Sequence, residues 1–283
     1  MKEQYKKFLE GLHKRYENGG YIVGSGCGSG LSAKGAVAGG ADFLACYSTA
    51  VYRTRGLPTL LSFLPYDDCN KITQEAFPNV KVGSGDKPVL LGVGAHDLRW
   101  TVDRLVDKAE ELGADGTVNE FFIGYFRGHP LKKQVDEAGM GFSRELELLR
   151  KSLDRGMITL TWAFDEEEVA AIAAEGAPMI GLMLYPENCQ MMGPDDYDSV
   201  VRFTEKLAAT AFRENPNTLL FLHGGAVEKY DKVKYILQRT PVQGFFTGSS
   251  GERIPVAPAI AKTVKEFRDI PFVPYKKCAM GDR

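Results

Sequence analysis

A chain of 283 residues, 44% hydrophobic and 25% charged, holds enough apolar material for one large closed barrel or two smaller domains. Its 35 basic and 37 acidic side chains leave a formal charge of −2 with no basic block or basic-aromatic stripe, which excludes nucleic acid as the expected partner and makes any anion site local. No apolar run nears the roughly 20 residues that cross a bilayer, the opening MKEQYKKFLEGLHKRY is charged throughout, and five cysteines (Cys27, Cys46, Cys69, Cys189, Cys278) form no C-x-x-C pair. A soluble, cytoplasmic chain with reduced thiols is expected, without a membrane span, zinc knuckle or disulfide framework.

The first predicted element is a helix over roughly 2–17, with Tyr5, Phe8, Leu9, Leu12 and Tyr16 at helical spacing. It caps the bottom of the fold or contributes a subunit contact. A β-rich run then ends in alternating glycines, Gly24, Gly26, Gly28 and Gly30, before a helix opens at Leu31-Ser32-Ala33-Lys34. Such a corner is either the entrance of a phosphate or carboxylate site or a tight strand-to-helix turn. The dinucleotide fingerprint fails, because the required glycine is Leu31 in one register and Ser29 in the other. A Walker-type lysine fails as well, since no glycine precedes Lys34, so no nucleotide cofactor is expected.

Eight apolar runs follow one another near 21–24, 42–47, 88–93, 115–119, 157–163, 178–185, 218–223 and 243–247, separated by helical patterns such as TVDRLVDKAEELG and DEEEVAAIAAEG. Strand-then-helix repetition of this kind demands a parallel sheet, and eight units in this length match an α/β fold of the (β/α)8 TIM-barrel type. One domain over 1–283 is expected, with an N-terminal capping helix over 1–18 and a surface tail over 271–283. Two connections, 48–66 and 120–142, read as extended non-helical loops that rise over the catalytic end as a partial lid.

With the strands placed, the chain resembles the TIM-barrel family described as phosphoenolpyruvate hydrolase-like, also called TIM-barrel signal transduction proteins. The resemblance covers roughly 8–262 and rests on GSGCGSGLSAK (24–34), AGGAD (38–42), Tyr52-Arg53, LPYDDCN (64–70), Asp97, EAGMGF (137–142), FDEEE (164–168), HGG (223–225) and GSSGERIPV (248–256). Its wider relatives, the phosphoenolpyruvate mutase and isocitrate lyase superfamily, cleave or form C–P or C–C bonds beside a 2-oxo acid held against magnesium. The resemblance therefore implies a hydrolase or lyase acting on a small anionic substrate such as phosphoenolpyruvate or phosphonopyruvate. It also implies Mg2+ on Asp97, although the dense acidic cluster of those enzymes is missing here; Glu120, placed after strand four, offers a second oxygen ligand at a position that is not typically acidic in the family. The alternatives are a C–C lyase of retro-aldol or Claisen type and a non-catalytic barrel that binds a ligand or a signalling partner.

HGG and GSSGER fall in the two loops that most often cradle phosphate in such barrels. There Gly224, Gly225 and Gly248 permit close backbone approach, Ser249 and Ser250 offer hydroxyls, and Arg253 offers a bidentate contact. The bland alternative is a Glu252–Arg253 pair that simply closes the barrel. His223 is placed to shuttle a proton or to act as a satisfied structural donor. Asp97 is a metal ligand, a base or a helix cap. Lys34 meets the substrate or pairs with a carboxylate, since a lysine at a helix start opposes the dipole. Gly26, Gly28, Ser32, Tyr52 and Arg53 complete the expected binding set, and a homo-oligomer is expected.

Overall fold

The computed structural model describes residues 1–64 and 66–273. In order the chain forms α1 (Glu3–Glu17), β1 (Ile22–Gly26), α2 (Gly30–Ala38), β2 (Phe43–Cys46), α3 (Ser48–Thr54), α4 (Cys69–Gly83), β3 (Val89–Val93), α5 (Val102–Glu111), β4 (Gly116–Asn119), α6 (Pro130–Glu137), α7 (Phe142–Asp154) and β5 (Ile158–Ala163). It continues through α8 (Glu166–Ala174), β6 (Met179–Met183), α9 (Tyr197–Glu214), β7 (Leu219–His223), α10 (Tyr230–Leu237), β8 (Gly244–Thr247), α11 (Ser249–Glu252) and α12 (Val256–Arg268). All neighbouring strands are parallel, and β8 pairs back onto β1, so the sheet closes into an eight-stranded barrel. The (β/α)8 expectation holds, one strand to each apolar run.

The strands are apolar on both faces because both are covered. Inward side chains such as Ile22, Phe43, Leu90, Leu160, Trp162, Phe221 and Phe246 fill the barrel, with the Phe43 and Phe221 rings edge to face at 5.4 Å. Outward side chains join two clusters beneath the helices, one centred on Ile180, Leu182, Leu207 and Leu222, the other on Leu44, Leu91, Leu105 and Val106. Helix α1 closes the bottom. Its Tyr5 and Leu12 belong to the barrel-filling cluster, Phe8 lies edge-on to Phe43 at 6.3 Å, and the Tyr5 hydroxyl donates to Asp115.

Helix starts follow the sequence signals. Ser29 and Ser32 cap α2 reciprocally, and Asp165 caps α8 by accepting the Glu168 N–H at 2.7 Å, so the run of acids after β5 is a helix cap. The two long connections differ from expectation: 48–66 contains α3 and a 3-10 turn at Thr59–Phe63, and 120–142 contains a 3-10 turn at Ile123–Phe126 and α6. The STAVYRT of α3 is rich in β-branched and aromatic residues whose helix propensity is poor, and tertiary packing overrides it. Helix α6 announced itself more openly, with His129 at the N-cap and Pro130 just inside.

One part of the barrel wall is bare. The outward side chains of β2 to β6 are fully buried, whereas Val23 on β1 and Phe245 and Thr247 on β8 are only partly covered, and α12 has no buried residue. The expected tail over 271–283 lies mostly outside the described residues, as does Cys278. The other four cysteines are free thiols, and no helix among the described residues is long and apolar enough to cross a membrane.

Candidate active site at the barrel mouth

His223 ends β7 with its ring stacked on Trp162, centroids 4.7 Å apart. Its Nδ1 sits 2.8 Å from the Phe246 carbonyl, which can only accept, so Nδ1 carries the proton and Nε2 keeps a free lone pair. Burial and the nearby Arg53 charge push its pKa down to about 4, against the pull of the Phe246 carbonyl. The imidazole is therefore neutral, a base rather than an acid at physiological pH.

Arg53 projects from α3 into the same space. Its Nη1 donates to Glu252 at 2.8 Å and its Nε to Thr59 at 3.0 Å, while Nη2 has no protein acceptor among the described residues. Burial opposes the guanidinium charge, but Glu252 and the Tyr47 oxygen beside it hold its pKa above the ordinary value. Glu252 is sealed from solvent and also accepts the Tyr47 hydroxyl at 3.2 Å, so the arginine is aimed by a buried carboxylate.

The loops after β7 and β8 supply the third side. Gly224 has φ +108°, and a Cβ there would strike the Leu184 carbonyl, so only glycine fits. A Cβ on Gly248 would come within 2.9 Å of the His223 ring and 3.0 Å of Arg53 Nη1, which shows how closely the three groups converge. The N–H groups of Gly225, Ser249 and Ser250 find no acceptor among the described residues. Together with Thr59, Leu60, Phe63, Tyr125, Tyr185 and Glu228, these groups enclose a cavity of about 230 Å³. It offers one free guanidinium nitrogen, unpaired amides, two serine hydroxyls and one basic nitrogen: the inventory of a small anion site with a proton acceptor beside it.

Seven expected residues thus come together: Arg53, His223, Gly224, Gly225, Gly248, Ser249 and Ser250. The others do not. Gly26 leaves room for Tyr47 and Glu252, and Gly28 for the Ala50–Val51 backbone of α3, so these two glycines permit close chain packing. Ser32 is spent on the α2 cap. Lys34 is exposed on the outer side of α2, in a cleft with Arg55 and Glu75, and is neither site-facing nor buried in an ion pair. Tyr52 is buried against Val51 and Ile72. Arg253 is exposed on the outside of the barrel, and the partner of Glu252 is Arg53 rather than Arg253.

Asp97 lies in a separate cavity of about 420 Å³ with Cys69, His96 and Phe121. Aromatic side chains wall it off from His223: Phe63 borders both cavities and stacks on Tyr125 at 4.0 Å. Both Asp97 oxygens take hydrogen bonds from Arg99, which hold its pKa below the usual carboxylate range. Glu120 is buried on the Thr49 hydroxyl and N–H, and burial pushes its pKa up to about 7. The pair proposed for magnesium is therefore split, one acid consumed by an arginine and the other about half protonated at neutral pH. No group of three His, Cys, Asp or Glu suited to a metal ion occurs among the described residues. With Asp97 held by Arg99 and Glu120 outside its cavity, the two expected ligands do not converge on one ion.

Sequence reasoning missed the aromatic walls Phe63, Tyr125 and Tyr185 and the aiming role of Glu252. Tyr185 closes the sixth apolar run and was open to notice. Nothing in the sequence pairs Glu252 with an arginine 199 positions away.

The fold and this pocket define a TIM-barrel protein with a small polar site over the C-terminal ends of β7 and β8. Residues 7–270 match the family described as phosphoenolpyruvate hydrolase-like, and the chain belongs to that family. Two proteins of Solanum lycopersicum, a ToMV susceptible protein tm-1 and a ToMV resistance protein Tm-1, are 32% and 31% identical to it over 266 residues, which is 93% of this chain and 35% of theirs. The chain spans about a third of the length of these relatives. Among solved structures, phosphonopyruvate hydrolase in complex with oxalate and Mg++ superimposes with a TM-score of 0.58 at 13% identity, covering 93% of this chain and 86% of that one. Oxaloacetate acetylhydrolase with 3,3-difluorooxalacetate gives 0.57 at 16% identity, covering 88% and 82%. At these identities the likeness is one of fold.

Proposed function

We propose that this chain is an enzyme acting on a small phosphorylated or phosphonylated 2-oxo acid, such as phosphonopyruvate or phosphoenolpyruvate, bound at the barrel mouth. The observation that carries the reading is the convergence of His223 Nε2, Arg53 Nη2 and the unpaired amides of Gly225, Ser249 and Ser250 on one small cavity. In this reading the amides and serine hydroxyls hold the phosphoryl oxygens, and Arg53 takes the carboxylate of the oxo-acid end. Family membership and the fold shared with phosphonopyruvate hydrolase support the substrate class.

For a phosphonate, water attacks phosphorus while the neutral His223 takes its proton. The C–P bond breaks, its electrons pass into the enolate of pyruvate, and His223 returns the proton to carbon, giving pyruvate and phosphate. The amides facing the phosphoryl oxygens are fixed before reaction and cost no reorganisation as charge shifts. No step is routed through a metal. A cytoplasmic setting accords with this reading.

A second reading is a barrel that binds such an anion without turnover. The tomato relatives favour it, being named for virus susceptibility and resistance rather than for a reaction. The experiment is release of phosphate and pyruvate from phosphonopyruvate by the purified chain, with oxaloacetate in parallel for C–C cleavage. Turnover of the phosphonate that falls away in His223→Gln is expected. Cleavage of oxaloacetate alone would move the assignment to a C–C lyase. No turnover of either, with inorganic phosphate still raising the Tm, would establish the binding protein instead.

A further inference from the structure

The cavity beside Asp97 has the make-up of a ligand pocket of another kind. At about 420 Å³ it is larger than the one at His223 and within the usual range for small-molecule sites. Its walls are mainly apolar and aromatic. The Phe121 ring is tilted against Phe63 at 5.4 Å and against Phe126 at 5.8 Å, and it meets the His96 ring edge to face at 4.7 Å. Rings inclined to one another at 52° to 64° present both faces and edges, which an aromatic guest can meet in the tilted pairings that such rings prefer. Helix α6 borders this space without burying a residue of its own. Val135 from that helix and Met140 beyond it reach the cavity half-buried, and Leu64 and Leu98 at its rim stay 57% and 54% exposed. A guest would take this apolar surface out of water.

Two polar groups inside have nothing to bond. Ser62 is only 7% exposed, yet its hydroxyl has no partner among the described residues, and neither has Nδ1 of His96. Buried polar atoms left in this state cost free energy, so a guest that bonds to either one relieves that cost. The charges at the same cavity select against ions of both signs. Asp67, Asp68 and Asp97 stand against Arg99 as the one cation among the lining residues, a balance that repels an anion. A cation finds Asp68 and Asp97 already held by Arg99, and Asp67 lies out in solvent.

We propose that this cavity is a second ligand site, for a neutral aromatic molecule that carries one hydroxyl, a phenol in the simplest case. The ring occupies the space between Phe63, Phe121 and Phe126, and the hydroxyl accepts from Ser62 or donates to His96 Nδ1. The site does not depend on any reaction at His223. Phe63 is the wall that the two cavities share.

Calorimetric titration of the full chain with 4-methylphenol tests this, beside toluene, which lacks the hydroxyl, and 4-methylbenzoate, which is an anion. The phenol should bind with a Kd on the order of 10⁻⁴ M, in keeping with its few heavy atoms. Toluene should bind about tenfold more weakly or worse, because it leaves Ser62 and His96 unbonded. Val135→Phe, at a half-buried helix position, should fill the cavity and raise the Kd of the phenol by about tenfold or more. Ser62→Ala/His96→Leu should bring the phenol and toluene to within about twofold of each other. Far-UV circular dichroism of both variants checks that the barrel is intact. No saturable heat with 4-methylphenol, a Kd that Val135→Phe leaves unmoved, or toluene binding the wild type as well as the phenol does would each overturn the proposal. Binding of 4-methylbenzoate that Val135→Phe also removes would overturn the choice of a neutral ligand.

Discussion

The two cavities at the C-terminal end of the barrel hold similar residue types, each with an arginine, a histidine and a carboxylate, and differ in what those groups have left over. Over β7 and β8, Arg53 is aimed by the buried Glu252 and still has a free nitrogen, and His223 is fixed at Nδ1 and free at Nε2. Over β3 and β4, Arg99 gives Nε and Nη2 to Asp97 and Asp68 and leaves Nη1 on an exposed side chain, and Asn70 ties the Gly94 backbone through both ends of its amide. Among the described buried side-chain atoms there, His96 Nδ1 and Ser62 Oγ lack a partner. Polar residues at strand ends mark a site when hydrogen-bonding capacity remains after the fold has used its share.

The largest expected contrast is catalytic. His223→Gln should lower phosphonopyruvate turnover by about 10²–10⁴-fold, the usual contribution of a positioned proton-transfer group, while Asp97→Asn stays near wild type in the same assay. Equal losses would join the two cavities into one site and break the comparison. Next is stability. Arg53→Met leaves the Glu252 charge buried and unpaired and should cost about 3–5 kcal/mol in urea denaturation, with most of it recovered in Arg53→Met/Glu252→Gln. Arg99→Met, which removes an exposed side chain from the buried Asp97, should cost less than Arg53→Met.

Smaller effects sharpen the electrostatics. Glu120 titrates near 7 in the fold against 4.5 in the unfolded chain, so between those values the folded state binds more protons and stability falls as pH rises. His223 acts oppositely. It titrates near 4 against 6.5, the unfolded chain binds more protons in that window, and stability rises with pH. Urea midpoints across pH 4–8 should lose the first slope in Glu120→Gln and the second in His223→Gln. The smallest expected effect is that of magnesium, which should leave the Tm and phosphonopyruvate turnover unchanged whether added or chelated. A clear rise in either would restore the split Asp97–Glu120 pair as ligands.

The barrel was legible because its strands are apolar on both faces and its helices carry caps and amphipathic stripes, which are local features. The β7 and β8 loops were legible too, since HGG and GSSGE place small residues and a histidine at strand ends. The glycine corner was not. Glycine density reports that something approaches closely, and Gly26 and Gly28 carry no sign that the approaching groups are Tyr47, Glu252 and the α3 backbone. Tyr52 was misplaced for a related reason: α3 was read as a loop, so which of its faces turned inward could not be derived.

The stacking of Trp162 on His223 places a chromophore against the proposed base. The chain has two tryptophans, and the other, Trp100, sits at the surface under the Lys108 ammonium. An imidazolium quenches indole emission, so the buried tryptophan should dim as pH approaches 4 and brighten or dim again when an anion enters the cavity. A Trp100→Phe variant would leave that signal alone, an intrinsic optical gauge of the barrel mouth that needs neither a substrate nor a label.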